Sequence, residues 1–444
     1  MKKVLYGFGG LSYSVINQTI ANFFMFFATS VLGLQGTLVG VIIGISTVWD
    51  GISDAVIGYL SDNYPLGKLG RRNGYMLIAS IGMAVFNIAL WCIPNSLSLW
   101  VKFVWLLISL VLIETFSTMF ATPYTALAND LAKNNNDRTK YNSSNTIFYL
   151  IGIIIPSALM VVFLPNTEVY PIGQLNPNGY IKIAIVTSII CFVFGVVCSL
   201  TTNNRYTTIK FGSRQKFGLK VLTQGFLRTI KNARLRPLIL GYICASSITV
   251  FLCGIGLHFF TYSLFYSSKQ ITALLFVLIL GNIISQPLWL FISQKIRKKP
   301  ALILGFLITI LSVFGIIGIY FFRVELYQIS FYMNIVLILI CGMGSGALYT
   351  FPVSLYGDAV KEVNGGNNNN ASYLGSLTFA SNIANSLSQL IIGVLLDIIK
   401  FDSSLAVQSL GVQYGLALIL FIGVQTFLIL GCFTYSGYKE KREK

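Results

Sequence analysis

Long apolar stretches recur along the chain and are separated by short polar segments. Twelve of them are long enough to cross a bilayer core, which needs about 20 apolar residues per helix. They run continuously rather than alternating, which predicts helices, because open sheet edges cannot lie in lipid. The pattern therefore predicts an all-α polytopic membrane protein with twelve transmembrane helices. They begin near Tyr6, Thr37, Asn73, Ser98, Ser143, Ile181, Leu235, Gln270, Ala301, Glu325, Ala371 and Gln408.

Composition and charge support this class and orient the chain. The 444 residues are 55% hydrophobic and 10% charged, with a mean hydropathy of +0.75, which excludes a water-soluble globular domain. If both termini are cytoplasmic, 26 of the 31 Lys and Arg residues lie on the cytoplasmic side. We therefore expect a multi-pass protein of the cell membrane. The net charge of +17 then reflects basic cytoplasmic loops that face anionic lipid, and no nucleic-acid partner is expected.

The longest basic connection divides the predicted helices six and six. We predict an N-terminal six-helix half at residues 1–202, a basic cytoplasmic connecting loop at 203–234, and a C-terminal half at 235–444 with a short basic tail. Basic loops recur at matching places in the halves, which indicates an internal duplication. The seven cysteines all fall in predicted membrane segments without metal-ligand spacing. No nucleophile–base pair is evident, so we do not expect an enzyme. We also expect a monomer without a cofactor, apart from a coupling ion.

Two acids lie one helical turn apart inside the second apolar stretch. Asp50 and Asp54 share one helix face, and a charge at that depth costs about 2.5–3.5 kcal/mol on insertion scales. No Lys or Arg is predicted at the same depth, so either one acid keeps a proton or a cation lies between them. Hydroxyl groups of Ser53 and Thr118 would add oxygen ligands that suit Na⁺, whereas proton coupling needs only the acids.

Other polar positions lie in predicted helices 1, 4 and 11. Glu114, Thr118 and Ala121 share a stripe of helix 4, which Pro123 is expected to interrupt. Glu114 is interpreted either as a cavity ligand or as a helix-contact residue. The lone histidine, His258, is interpreted either as a packed side chain or as a proton carrier.

A basic loop follows helix 2. Its polar and glycine positions predict either a solvated cytoplasmic loop or a gate latch, in which Asp62 and its basic neighbours pair with another helix end in one conformation only. The loop residues concerned are Asp62, Gly67, Lys68, Arg71 and Arg72.

Several motifs together resemble a known transporter family. The chain resembles the major facilitator superfamily and, within it, the melibiose-permease-like glycoside–pentoside–hexuronide:cation symporters. The helix 2 segment is the specific part of this resemblance. The motifs are Tyr6-Gly7-Phe8-Gly9, Trp49-Asp50-Gly51-Ile52-Ser53-Asp54, Gly58 to Arg72, Thr122-Pro123-Tyr124, Arg236-Pro237-Leu238 and Asp358.

The resemblance implies a cation site and a divergent substrate site. In the family, residues matching Asp50, Ser53, Asp54 and Thr118 bind Na⁺, Li⁺ or H⁺. Five family substrate positions fall on residues that are changed here, namely Ser14, Ala121, Thr125, Asn145 and Asn382. Because two of the family's basic residues have become Asn, we expect a neutral or cationic solute. The substrate-cavity candidates are Ser14, Asn17, Gln18, Glu114, Ala121, Tyr124, Thr125, Asn145, Thr378, Asn382 and Asn385.

The expected function is cation-coupled symport of a sugar, glycoside or similar small polar solute by alternating access, with Na⁺ possible at Asp50 and Asp54. Bound solute and bound cation would each raise the affinity for the other. An exporter of a drug, peptide or lipid-like molecule is the alternative, and a receptor or lipid scramblase-like protein is a third. The sequence leaves the solute, the coupling ion and the direction open.

Overall fold

The computed structural model describes residues 2–64, 66, 72–132, 134–202, 229–326, 329–363 and 370–438. These residues form twelve long helices and no strand, which confirms the predicted all-α class. The first six are α1 Lys2–Phe26, α2 Gly36–Asn63, α3 Asn73–Trp91, α4 Leu99–Leu131, α5 Asn135–Phe163 and α6 Pro177–Thr201. The other six are α7 Arg236–His258, α8 Ser268–Ile296, α9 Lys298–Phe321, α10 Ser330–Val363, α11 Asn370–Ile398 and α12 Leu410–Ser436.

The chain divides into two compact units, Met1–Leu219 and Lys220–Lys444. Each unit repeats the same set of helix contacts. In the first unit α1 packs on α5 and α6, α4 packs on α2 and α3, and α3 packs on α6. In the second unit α7 packs on α11 and α12, α10 packs on α8 and α9, and α9 packs on α12. The predicted connection at 203–234 is described only from residue 229 onward.

The repeat extends to local backbone detail at the ends of α1 and α7. Each helix ends in a single π-helical turn, at Phe27–Val31 and at Phe259–Ser263. Two residues after each turn the backbone has positive φ, 73° at Gly33 and 57° at Phe265. π-Helical turns are rare, and positive φ is uncommon for a residue other than glycine, such as Phe265. Their recurrence 232 positions apart supports an internal duplication.

Eleven of the described helices are long and apolar enough to cross a membrane. The exception is α1, whose centre carries several hydroxyl and amide side chains. These groups find partners inside the first unit: Ser12 Oγ donates to Cys191 O at 2.7 Å, and Thr19 Oγ1 donates to Val15 O at 2.6 Å. Polar groups satisfied in this way are tolerated away from water.

The predicted starts that lie furthest from the structure are those of α5 and α10, which differ by eight and five residues. Helix α5 begins at Asn135, eight residues before the predicted start at Ser143, because the Asn134 side chain accepts the Asp137 N–H at 2.8 Å and caps a polar first turn. Hydropathy detects only the later, apolar part. The predicted interruption of helix 4 was wrong, since α4 continues through Pro123 to Leu131.

Candidate cation site on α2 and α4

Two pairs of side chains, each spaced by one helical turn, face each other between α2 and α4. Thr118 Oγ1 donates to Asp50 Oδ1 at 2.8 Å, and Thr122 Oγ1 donates to Asp54 Oδ1 at 3.2 Å. Residues four apart lie on one helix face, so two matching pairs form two parallel contacts. Sequence reasoning missed Thr122, although its spacing from Thr118 equals that between the acids.

Ser53 contacts the first of these two pairs, Asp50 and Thr118. Its Oγ lies 3.0 Å from Asp50 O and 3.2 Å from Thr118 Oγ1. Ser53 and Thr118 are buried, whereas Asp50 and Asp54 are each half-buried. Ser53 therefore supports Thr118, which bonds to the Asp50 carboxylate, while both aspartates stay partly accessible. One position earlier, Trp49 Nε1 donates to Thr115 Oγ1 at 2.8 Å and adds a further α2–α4 bond.

Glu114 lies one turn before Thr118 on α4, and its charge interacts with those of Asp50 and Asp54. Within the described ranges, no group of three or more His, Cys, Asp or Glu side chains is arranged to hold a metal ion. Any ion at this place would be held by the two aspartates with hydroxyl oxygens, and Glu114 is a third acid that interacts with them. Oxygen ligands of this kind suit hard cations.

Two of the predicted cavity residues lie on α1. Asn17 forms a hydrogen bond to α4, and Gln18 forms one within α1. Asn17 Oδ1 accepts a hydrogen bond from Ser117 Oγ at 3.2 Å. Gln18 Nε2 donates to Asn22 Oδ1 at 2.6 Å. Both Asn17 and Gln18 are half-buried, and their role toward a solute stays a prediction.

Three other predicted cavity residues contact neighbouring helices of the first unit. Tyr124 is fully buried and exchanges hydrogen bonds with Tyr6: each hydroxyl donates to the other residue's carbonyl, at 2.9 and 3.0 Å. Asn145 Oδ1 accepts from Tyr124 Oη at 3.0 Å. Ser14 is 1% exposed and touches Gly152 of α5, so closely that a Cβ on that glycine would collide with it. This burial argues against Ser14 and Tyr124 as cavity residues, because both are enclosed where α1 meets α4 and α5.

The remaining candidates are spread over α4 and α11. Ala121 is half-buried, and Thr125 is exposed with its hydroxyl donating to Thr122 O at 3.0 Å. On α11, Thr378 is exposed, whereas Asn382 and Asn385 are half-buried. The contact of these residues with a solute stays a prediction.

His258 is a packed side chain at the end of α7. It is fully buried, and its ring meets Phe401 edge-on at a centroid distance of 5.4 Å. These contacts favour the packing interpretation of this residue over proton transfer.

The basic loop after α2 is described only in part. Gly67, Lys68 and Arg71 lie outside the described residues, as does the side chain of Asp62. Arg72 is buried, and its Nε lies 2.7 Å from Asp130 Oδ2 at the end of α4. The loop arginine thus contacts another helix end, and a latch that changes with conformation stays a prediction.

Comparison with known proteins assigns the family. The chain matches the MFS/sugar transport protein family over residues 5–440. It belongs to this family. The suspected resemblance to the major facilitator superfamily is thereby confirmed, and the protein is a multi-span membrane transporter rather than an enzyme.

Relatives and solved structures agree with this assignment. The chain is 22% identical over 484 residues to the sodium-dependent lysophosphatidylcholine symporter 1-A of Danio rerio, covering 99% of this chain and 86% of that one. It is 23% identical over 305 residues to the isoprimeverose transporter of Lactiplantibacillus pentosus, covering 68% and 60%. Alignments with the first curated relatives span 33% to 86% of those proteins' lengths. The nucleoside transporter NupG shares the fold, with a TM-score of 0.68 at 12% identity and coverage of 99% and 100%.

Proposed function

We propose that this protein is a secondary active transporter that couples the downhill entry of Na⁺ or H⁺ to the uptake of a small, uncharged, polar solute such as a sugar or glycoside. The observation that carries the proposal is the pair of aspartates on α2, each bonded to a threonine of α4. An acid pair in a membrane helix is costly, and a bound cation removes that cost.

The coupling follows from the charges. Without a cation, Asp50 and Asp54 repel each other when both are ionised, and each also interacts unfavourably with an ionised Glu114. A Na⁺ or proton reduces the repulsion and stabilises the α2–α4 contact. If solute binding depends on that contact, linkage requires the solute to raise cation affinity by the same factor. One charge moving through 100 mV supplies about 2.3 kcal/mol, which corresponds to roughly 50-fold accumulation.

A lipid-like solute is the second candidate. It is favoured by the alignment with a sodium-dependent lysophosphatidylcholine symporter, which covers 99% of this chain. The cation site would act in the same way for either cargo.

The test is uptake into proteoliposomes that hold the full chain. Labelled isoprimeverose and labelled lysophosphatidylcholine are offered with an inward gradient of Na⁺, of H⁺, or of neither. We expect one probe to accumulate only with a cation gradient. Replacement of the acid by its neutral isostere, Asp54→Asn, should abolish accumulation and leave exchange at equal concentrations measurable.

The matched control is Asp397→Asn, an acid of α11 in the second unit. It should keep cation-driven uptake. Accumulation of either probe that is equal with and without cation gradients, or that survives Asp54→Asn, would overturn the coupling proposal.

A further inference from the structure

The polar contacts of the cation site recur in the second unit with amides in place of acids. Asn282 and Gln286 on α8 follow Asp50 and Asp54 by 232 positions, the spacing that also relates the π-helical turns. Ser345 Oγ on α10 donates to Asn282 Oδ1 at 3.2 Å, and Thr350 Oγ1 donates to Gln286 Oε1 at 2.6 Å. The second unit thus has uncharged amide–hydroxyl contacts at the positions that match the acids, with donors five residues apart on α10 rather than four.

The amide nitrogens hold these side chains in place. Asn282 Nδ2 donates to Leu278 O at 3.1 Å, and Gln286 Nε2 donates to Asn282 O at 3.1 Å and to Gly346 O of α10 at 3.3 Å. Helices α8 and α10 approach closely here, because a Cβ on Gly342 would collide with Leu278 O. The arrangement is therefore a rigid one, and it carries no charge to attract an ion.

A cavity of about 130 Å³ lies beside these amides, between α7, α8 and α10. It has room for more than one water-sized polar group. Part of its lining is apolar, from leucine, isoleucine and alanine side chains. Its side chains with hydroxyl or amide groups are Tyr242, Ser246, Thr249, Asn282, Ser345 and Tyr349.

Two buried oxygens on α11, which packs against α7, lack donors. Asn385 Oδ1 and Gln389 Oε1 have no hydrogen-bond partner among the described residues. Tyr242 links this helix to the cavity, since its hydroxyl interacts with Ser246 and with Ser381, one turn before Asn385. A buried acceptor without a donor costs about 1–3 kcal/mol, so a donating group is favoured beside α11, next to the cavity rather than within its lining.

We propose that this cavity is a second binding site, which takes the uncharged, hydroxyl-rich part of the transported solute. Hydroxyl groups donate and accept at once, as amide and tyrosine partners require. An apolar lining with a few convergent polar groups is typical of small-molecule sites. The identity of the occupant as the transported solute rests on the proposed function, whereas binding of a polyhydroxyl ligand at this cavity does not.

The test measures solute and cation separately on the purified full chain. Binding of labelled isoprimeverose and of xylose is measured at equilibrium, and Na⁺ binding is measured without sugar as a rise in melting temperature at constant ionic strength. Asn282→Ala, Ser345→Ala and Tyr349→Phe should each weaken sugar binding about tenfold, or about 1.4 kcal/mol, and leave the Na⁺ response within twofold. The matched control is Ser293→Ala on α8, whose hydroxyl donates to Leu290 O of its own helix at 2.8 Å and which lies outside the cavity lining. It should change neither quantity.

Failures of the two proposals are distinguishable. Unchanged sugar binding in the folded cavity variants, or absence of sugar binding to the wild type while lysophosphatidylcholine binds, would overturn this inference and leave cation coupling intact. Solute uptake into proteoliposomes that is driven by neither a Na⁺ nor an H⁺ gradient would overturn the coupling proposal, yet sugar binding that is lost with Ser345→Ala and kept with Ser293→Ala would still support the cavity. If Asn282→Ala does not fold, Ser345→Ala and Tyr349→Phe decide the result.

Discussion

The two units build the same contact from different chemistry. In the first, carboxylates of α2 accept hydrogen bonds from threonines of α4. In the second, amides of α8 accept them from Ser345 and Thr350 of α10. The acids and the amides share the same spacing, but their hydroxyl donors lie four residues apart on α4 and five apart on α10, so the contacts differ in register as well as in charge. A duplicated fold can therefore supply one place suited to a cation and another suited to an uncharged hydrogen-bonding group.

The comparison also separates what packing requires from what binding requires. A threonine–amide bond holds two helices together without charge, as Thr350 and Gln286 show at 2.6 Å. Packing alone therefore does not need acids at the matching positions of α2. Asp50 and Asp54 carry an electrostatic cost that the second unit avoids, and the proposed binding of a cation would offset it.

The largest expected effect comes from giving the first unit the chemistry of the second. The double variant Asp50→Asn/Asp54→Gln keeps acceptors for Thr118 and Thr122 but removes both charges. We expect the Na⁺-dependent rise in melting temperature to be abolished and the protein to remain folded. The measurement is thermal unfolding in Na⁺ and in K⁺ at equal ionic strength. A Na⁺ response that persists in this variant would mean that the ion binds elsewhere.

The reverse exchange, Asn282→Asp/Gln286→Glu, should be smaller in effect and opposite in sign. Each new acid costs about 2.5–3.5 kcal/mol if ionised at this depth, so the melting temperature in Na⁺-free buffer should fall. Na⁺ should then recover part of the loss, giving a larger Na⁺ stabilisation than in the wild type. An equal loss with no recovery by Na⁺ would show that acids and hydroxyls alone do not make a cation site.

Replacing one threonine in each unit tests the two contacts one hydrogen bond at a time. Thr122→Val removes a bond to a carboxylate, and Thr350→Val removes a bond to an amide. Hydrogen bonds to charged groups contribute about 1.5–3 kcal/mol and neutral ones about 0.5–1.5 kcal/mol. If Asp54 is ionised around a bound Na⁺, Thr122→Val should therefore weaken Na⁺ affinity about tenfold or more, whereas Thr350→Val should leave it unchanged. Titration of Na⁺ against melting temperature measures both, and equal effects would contradict the assignment of the ion to the first unit.

The smallest expected difference concerns ion pairs at matching helix ends. Arg72 is buried and bonded to Asp130, whereas Lys298 is more exposed and lies 2.5 Å from Asp358. Arg72→Gln should lower the free energy of unfolding by about 1–2 kcal/mol, less than the loss from a fully buried pair because Asp130 is partly exposed. Lys298→Gln should lower it by less than about 1 kcal/mol. Melting temperatures of the two variants test this order.

The membrane class, the helices and every residue of the candidate cation site except Thr122 were readable from the chain. Hydropathy located the helices, although α1 and α5 show its limits where polar residues lie inside a helix. The spacing of Asp50 and Asp54 indicated their shared face. The spacing of Thr118 and Thr122 offered the same signal on α4, but threonine is common in helices and draws no attention without a facing acid.

The sequence by itself determined that the chain crosses a membrane with helices and that two acids lie at one level of α2, because apolar length and helical periodicity are local properties. Only the tertiary structure decided that Thr122 meets Asp54, that Ser14 and Tyr124 are enclosed by packing, and that Asn282 and Ser345 border a cavity. These outcomes depend on how each helix is rotated against neighbours more than 60 residues away in the chain. Close packing of side chains, rather than any local pattern, sets that rotation.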